Sequence, residues 1–209
     1  MTQDSEKAAR RATMGRLPRD ERRSQLLAAA LEVFAANGYH GAAMDEIAEA
    51  AKVSKPVLYQ HFPSKRELYL ALLDSHLAAL TAQLLDALGS TTDNKLRVQA
   101  TMRVYFQFIA ADDQAHRLVF ESDLVNDPDV ASRLEKFNAG YADAIAKVIA
   151  EDTKLAQVEA RLLGRALAGM AQISARYWLE TNGDLDLEVA SELVYRLAWR
   201  GISRFPKES

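Results

Sequence analysis

An all-α protein is what this 209-residue sequence predicts, and three observations carry the expectation. Apolar residues recur at helical spacing through the long segments, as in Leu27, Ala30, Leu31 and Phe34. Alanine and leucine fill those segments, while the nine glycines and five prolines stand almost entirely at their ends. No segment reads convincingly as a strand. The composition, 49% hydrophobic and 26% charged, is that of a soluble globular chain with ample material for a core.

Taken in order, the elements number about nine. Residues 1–18 carry Arg10, Arg11 and Arg16 without periodicity and read as a basic flexible arm. A first helix runs from about Arg19 to Asn37, with Asp20 and Glu21 in its first turn and Asn37-Gly38 as its C-terminal signal. A second, about Met44 to Ala51, buries Met44, Ile47, Ala48 and Ala51. After Lys52-Val53 comes a short third helix that opens at Ser54, carries Pro56 in its first turn and stops at Phe62-Pro63. Ser64 and Glu67 then form the S-x-x-E box that starts a long fourth helix, with beats at Leu68, Leu72, Ser75, Leu80, Leu84 and Leu88 before Gly89.

A fifth helix covers about Lys95 to Ala111, and Asp112-Asp113 leads a shorter sixth to about Leu124. Asn126-Asp127-Pro128 marks a seventh, bearing Leu134, Phe137, Tyr141, Ile145 and Val148. The eighth runs from near Leu155 to Glu180 and closes with Asn182-Gly183, and the ninth from about Asp186 to Arg204 before Pro206.

The third helix is too short to hold itself together in water. Ala48, Val53, Leu58 and Phe62 supply its scaffold, which leaves Lys55, Pro56, Val57, Tyr59, Gln60 and His61 facing outward. A short helix braced by a preceding pair is the arrangement that delivers side chains to the DNA major groove. Charge agrees. Residues 1–66 hold 11 Lys/Arg against 8 Asp/Glu, a balance of +3, whereas the remainder, with 15 against 21, carries −6.

Gly38 to Leu68, reading G-Y-H-G-A-A-M-D-E-I-A-E-A-A-K-V-S-K-P-V-L-Y-Q-H-F-P-S-K-R-E-L after F-A-A-N-G, resembles the DNA-binding domain of TetR-family transcriptional regulators. The match spans roughly residues 20–70; the rest agrees in helix number and length. The resemblance implies a DNA-binding domain over 19–66 and a helical effector-binding and dimerisation domain over 67–209. It implies DNA contacts from Met44, Lys52, Ser54, Lys55, Pro56, Val57, Tyr59, His61 and Lys65. Lys55, Pro56 and Val57 would lie against base edges, and Tyr59, His61 and Lys65 against the backbone. Chemistry concurs: Lys55 donates to guanine, Pro56 and Val57 offer apolar contact to thymine methyls, and Lys65 stands at a helix N-terminus. Two departures matter. Ala42 and Ala43 replace the usual Thr or Ser, losing a cap worth about 1 kcal/mol, and Lys52 stands where the family often has Gly.

No enzymatic constellation is present. His40, His61, His76 and His116 lack metal-binding spacing, and no P-loop, G-x-G-x-x-G or G-x-S-x-G occurs. There is no cysteine, and no cofactor or metal is expected. The arginines at the start are followed by no apolar h-region, and no apolar run approaches the roughly 18 residues of a membrane span, so the cytoplasm is the expected compartment. Tyr105, Phe106, Phe108, His116, Phe120, Asn138, Tyr141, Gln172, Arg176 and Tyr177 mix aromatic with sparse polar groups and suit an effector pocket. The eighth and ninth helices are apolar on more than one face. The resemblance makes these a homodimer interface around Ala166, Gly169, Met170, Ile173, Leu193 and Leu197. The expected protein is a homodimeric repressor on a palindromic operator of double-stranded DNA, released by a small-molecule effector with helix 4 transmitting the change. The alternative is a DNA-binding protein controlled by a protein partner or acting constitutively.

Overall fold

The computed structural model describes residues 17–111, 124, 127–181 and 184–202. Among these residues the chain is all-α, with eight helices and no strand: α1 (Arg19–Gly41), α2 (Met44–Ala50), α3 (Lys55–His61), α4 (Lys65–Gly89), α5 (Asn94–Ala111), α6 (Pro128–Asp152), α7 (Gln157–Glu180) and α8 (Leu187–Ile202). The expected sixth helix with His116 and Phe120, residues 1–16 of the arm, Asn182-Gly183 and Pro206 lie outside the described residues. The chain divides into two compact units, Met1–Tyr69 and Leu70–Ser209, with the division inside α4.

In the first unit, α1 breaks at Gly38, whose φ of 68° is cheap only for glycine, as Asn37-Gly38 foretold. The helix resumes to Gly41. Ala30 and Phe34 are buried as expected, Leu26 is buried with them, and Leu27 and Leu31 are half-buried. α2 buries Met44, Ile47 and Ala48, with Ala51 buried just beyond. The Gln25 amide donates to the Ala51 carbonyl at 2.8 Å and ties α1 to the end of α2. Phe34, Tyr39 and Tyr69 form a ring cluster with centroids 5.2–6.0 Å apart.

Two helix starts are capped as their sequence signals foretold. The Glu67 N–H donates to Ser64 Oγ at 3.1 Å, and Asp127 accepts from the N–H groups of Asp129 and Val130. At α2 alanine offers no acceptor, so only half a capping box forms: the Ala43 N–H donates to the Glu46 carboxylate at 3.1 Å. In α4 the apolar stripe runs through Leu68, Leu72, Leu73, Leu77, Leu80 and Leu84, all buried, whereas Ser75 is exposed. Ser75 is therefore not one of the beats. By length and composition α4 is also apolar enough to cross a membrane, which corrects the expectation that no segment is. Its buried leucines are those of a core helix.

In the second unit, α6 packs along α7, and α5 packs against α7 and α8. The α6–α7 approach is set at Gly164, where a Cβ would lie 2.4 Å from the Ala142 carbonyl oxygen. Arg97 pairs with Asp152 at 3.0 Å, and Arg103 with Glu188. Apolar side chains remain exposed along one stripe of each of the last two helices. On α7 these are Val158, Leu162, Ile173 and Tyr177, the first 74% exposed; on α8 they are Val189, Leu193 and Leu197. Of the other expected interface residues, Ala166 is exposed while Gly169 and Met170 are half-buried.

Candidate nucleic-acid interface

α3 spends almost nothing on the core. Leu58 is its one buried residue; Phe62 and Ala48 are buried as well, and Val53 is half-buried. Lys55, Pro56, Tyr59 and Gln60 are exposed, and Val57 and His61 half-exposed. Tyr59 is 45% exposed, large for an aromatic ring and consistent with a surface that meets a partner. Ser54 holds the N-cap position, its carbonyl accepting from Val57 and Leu58, but its hydroxyl makes no capping bond.

The turn before α3 is a Schellman motif. The Lys52 N–H donates to the Glu49 carbonyl and the Val53 N–H to the Ala48 carbonyl, both at 2.9 Å. That pattern demands a left-handed residue, and Lys52 takes it with φ 54°. Glycine's frequency in the family at this position has its reason here. The cost of holding lysine there is about 1 kcal/mol, and its exposed ammonium is carried on a fixed corner beside α3.

The lysines differ in what they do. Lys55 is ion-paired with Asp45 in the first turn of α2, both side chains about 60% exposed. The pair is an exchangeable one. Lys65 Nζ, by contrast, donates to the carbonyls of Tyr39, His40 and Ala42 at 2.8, 3.3 and 2.9 Å and lies 4.7 Å from the Tyr39 ring centroid. It caps the C-terminal end of α1, where a cation complements the helix dipole. Its ammonium is thus held by carbonyls of its own unit, at the position where the resemblance implies a phosphate contact. Met44 is buried as well, and its side chain serves the core rather than the outer face.

His61 sits where α3 ends against the first turns of α1. Its pKa is held below the ordinary value, first by burial and then by the positive charges of Arg19, Arg23 and Arg22. Leu17, Arg19, Arg22, Val57, Gln60 and His61 line a cleft there, and the Arg23 guanidinium lies 4.5 Å from the centroid of the Phe62 ring. Arg19 and Arg22 were missed by motif reading. The only signal available was the surplus of basic residues in the first third of the chain.

The expected effector residues fall into three groups. Tyr105 and Tyr141 are buried and stacked, centroids 6.4 Å apart. Burial pushes both phenols up, and the Tyr105 hydroxyl has no hydrogen-bond partner among the described residues. Phe108, Asn138 and Gln172 are half-buried; Arg176 and Tyr177 are exposed, Arg176 pairing with Glu180 at 3.4 Å and Tyr177 bordering a groove with Phe106, Trp178 and Leu193. A separate apolar cavity of about 60 Å³ lies among Leu88, Val98, Ile145, Ile149, Leu163 and Leu167, with Arg97 and Asp152 in its wall. It holds a few waters' volume, far below the roughly 300–1,000 Å³ of ligand pockets. No sequence signal marks it, because it is assembled from four helices. Among the described residues no group of three or more His, Cys, Asp or Glu side chains could hold a metal ion.

Comparison with known proteins places this geometry. Residues 26–72 match the family model described as bacterial regulatory proteins, tetR family. The HTH-type transcriptional activator FasR of Mycolicibacterium smegmatis is 47% identical over 191 residues, 91% of this chain and 87% of that protein. The fatty acid metabolism regulator protein of Bacillus subtilis is 21% identical over 85% of this chain and 94% of its own. Among solved structures, a TetR-like transcriptional regulator from Rhodococcus sp. RHA1 superposes with a TM-score of 0.69 at 26% identity, covering 90% of this chain and all of that one. The B. subtilis regulator FadR in complex with stearoyl-CoA gives 0.66 at 20% identity, covering 84% of this chain and 96% of that one. These relatives are regulators rather than enzymes. With an exposed reading helix on a braced helix-turn-helix and a relative so similar along nearly its whole length, the chain belongs to the TetR family and is a DNA-binding transcriptional regulator.

Proposed function

We propose that this protein works as a homodimer whose two α3 helices read a palindromic operator in successive major grooves, about 34–36 Å apart. The observation that carries this reading is α3 itself, which buries one side chain and leaves a lysine, a tyrosine and apolar groups to the outside. Lys55, Pro56 and Val57 meet base edges. Tyr59 and His61 meet the sugar-phosphate backbone, with Ser54 and Lys52 at its margin and the N–H groups of the first turn of α2 near Met44. Lys55 exchanges Asp45 for DNA on binding. The dimer forms through the exposed stripes of α7 and α8, around Ala166, Gly169, Met170, Ile173, Leu193 and Leu197. The site of action is wherever the cell's DNA lies, the cytoplasm of a bacterium.

Control by a small apolar effector completes the reading. The buried Tyr105 hydroxyl, without a partner among the described residues, and the small apolar cavity among α4 to α7 support it. An acyl chain is the first class to test, because FadR was solved with stearoyl-CoA. The cavity must widen to admit one, and an effector that prefers the widened state shifts the protein toward it. The sense of control has two readings. Repression was expected from the family, while the relative most similar along its length among those above is named an activator, which favours activation.

The test begins with a duplex selected by the protein from a random-sequence pool. Lys55→Ala and Tyr59→Ala are expected to weaken binding to it, and Lys55→Ala to lower the salt slope by about one. Unchanged affinity and slope in both would remove α3 from the interface. Acyl-CoAs of graded chain length, added to the complex, test the effector.

A further inference from the structure

Val57 and His61 share a cleft between the first turns of α1 and the last turn of α3 with Leu17, Arg19, Arg22 and Gln60, to which no role has yet been given. Arg19 and Arg22 line it together with His61, and their charges and that of Arg23 act on the imidazole. None of them forms an ion pair with a carboxylate among the described residues: Arg22 donates to the Gln25 side chain at 2.8 Å, and Arg23 lies against the Phe62 ring. Asp20 and Glu21 share the first turn of α1, yet they are not among the charges acting on His61. Gln60 adds an amide with donors, and Val57 and Leu17 supply apolar walls. Concentrated positive charge in a concave place, paired with no carboxylate among the described residues, is a site for an anion.

The neighbouring helix fixes which anion. Val57 and His61, both proposed to meet DNA, line the cleft, so a ligand bound there touches the surface proposed for the duplex. We propose that this cleft is a backbone-phosphate site, in which Arg19, Arg22 and Gln60 close on one phosphate of the bound duplex and His61 takes up a proton as it binds. The inference rests on the DNA reading of α3 and adds to it two arginines, a glutamine and a proton.

The physical sequence is short. In the free protein the arginines and partial burial hold the imidazole neutral. A phosphate brings negative charge to the cleft, offsets the arginines and favours imidazolium, which then donates to the phosphate oxygens. The proton comes from solvent, so no other reactant is consumed. The sign is fixed by linkage. For the free fold, whose His61 pKa is depressed, stability from this group is fully present above the unfolded value and is lost as pH falls through it toward the folded pKa. For the complex the dependence is reversed: binding raises the pKa, and affinity increases as pH falls.

The measurement is the affinity of the full-length protein for the pool-selected duplex between pH 8 and 6.5 at fixed salt. Wild-type affinity is expected to rise by several-fold per pH unit, up to about tenfold for each proton taken up. His61→Gln should flatten that dependence whatever its affinity at pH 8. Arg19→Gln and Arg22→Gln should each weaken binding and lower the salt slope by about one. In parallel, NMR of labelled histidine imidazoles should show the His61 pKa rising on addition of the duplex. A pH dependence unchanged in His61→Gln, or a His61 pKa that does not move, would overturn the proposal. Failure of the underlying reading looks different: Lys55→Ala and Tyr59→Ala would then bind like wild type.

Discussion

Two residues at the reading head carry opposite costs. Asp45 holds Lys55 by an exposed ion pair and also presents a negative charge to any approaching duplex. Such pairs are worth about 0.2–1 kcal/mol. Asp45→Asn is therefore expected to tighten DNA binding by about two- to fivefold and to steepen its salt dependence, which a titration at two salt concentrations would show. Lys52 pays in conformation instead, with φ 54° at the left-handed corner of the Schellman turn. Lys52→Gly should raise thermal stability by about 1 kcal/mol while removing one cation from the interface. Stability and affinity moving in opposite directions would identify Lys52 as a residue kept for contact; both rising would assign its charge no role. Lys65 is the contrasting case. Its ammonium satisfies three carbonyls at the end of α1, so its loss acts on the fold before it acts on DNA.

At the scale of elements, the helix starts and stops at Gly38, Ser64 and Asp127-Pro128 were legible because each signal is local: a dihedral only glycine adopts cheaply, or a side chain within three residues of an orphan N–H. Helix rotation was less so. On α1 Ala30 and Phe34 are buried as expected, but Leu26 joins them while Leu27 and Leu31 are half-buried, and Ser75 left the stripe of α4, because neighbours decide which of two adjacent apolar rows is covered. Small residues show the same limit. Nothing along the sequence marks Gly164, yet a Cβ there would meet the Ala142 carbonyl at 2.4 Å, whereas one at Gly169 meets nothing of its own protomer within 4 Å. Gly164→Ala is expected to destabilise the second unit by about 1–3 kcal/mol through forced displacement of α6 from α7. Gly169→Ala should leave the melting temperature of the protomer nearly unchanged. Equal melting shifts in the two variants would reject this account of the α6–α7 packing.

For the whole molecule the exposed stripes of α7 and α8 are the largest unfinished feature. Val158, Leu162, Ile173 and Tyr177 with Val189, Leu193 and Leu197 leave apolar area in water on two helices at once. A second copy of the chain covers such a surface by pairing it with itself. Leu197→Glu, alone or with Ile173→Glu, should yield a folded monomer by sedimentation. Its operator affinity should fall by orders of magnitude, since one reading head then loses the advantage of being tethered to the other. A dimer persisting in the double variant would place the interface elsewhere.

The sequence by itself determined the all-α class, the order of the described helices, the position of the reading helix and the family to which the chain belongs. These rest on local periodicity, on capping residues and on a contiguous motif, all of which are properties of neighbours along the chain. Tertiary structure alone decided what the polar side chains do. Lys65 turned to its own carbonyls, Lys55 found Asp45 ten residues away, and Arg19 and Arg22 came to stand around His61 some forty residues downstream. A charged side chain is long and flexible, and its role is set by the nearest opposite charge or carbonyl in space, which no spacing along the sequence encodes.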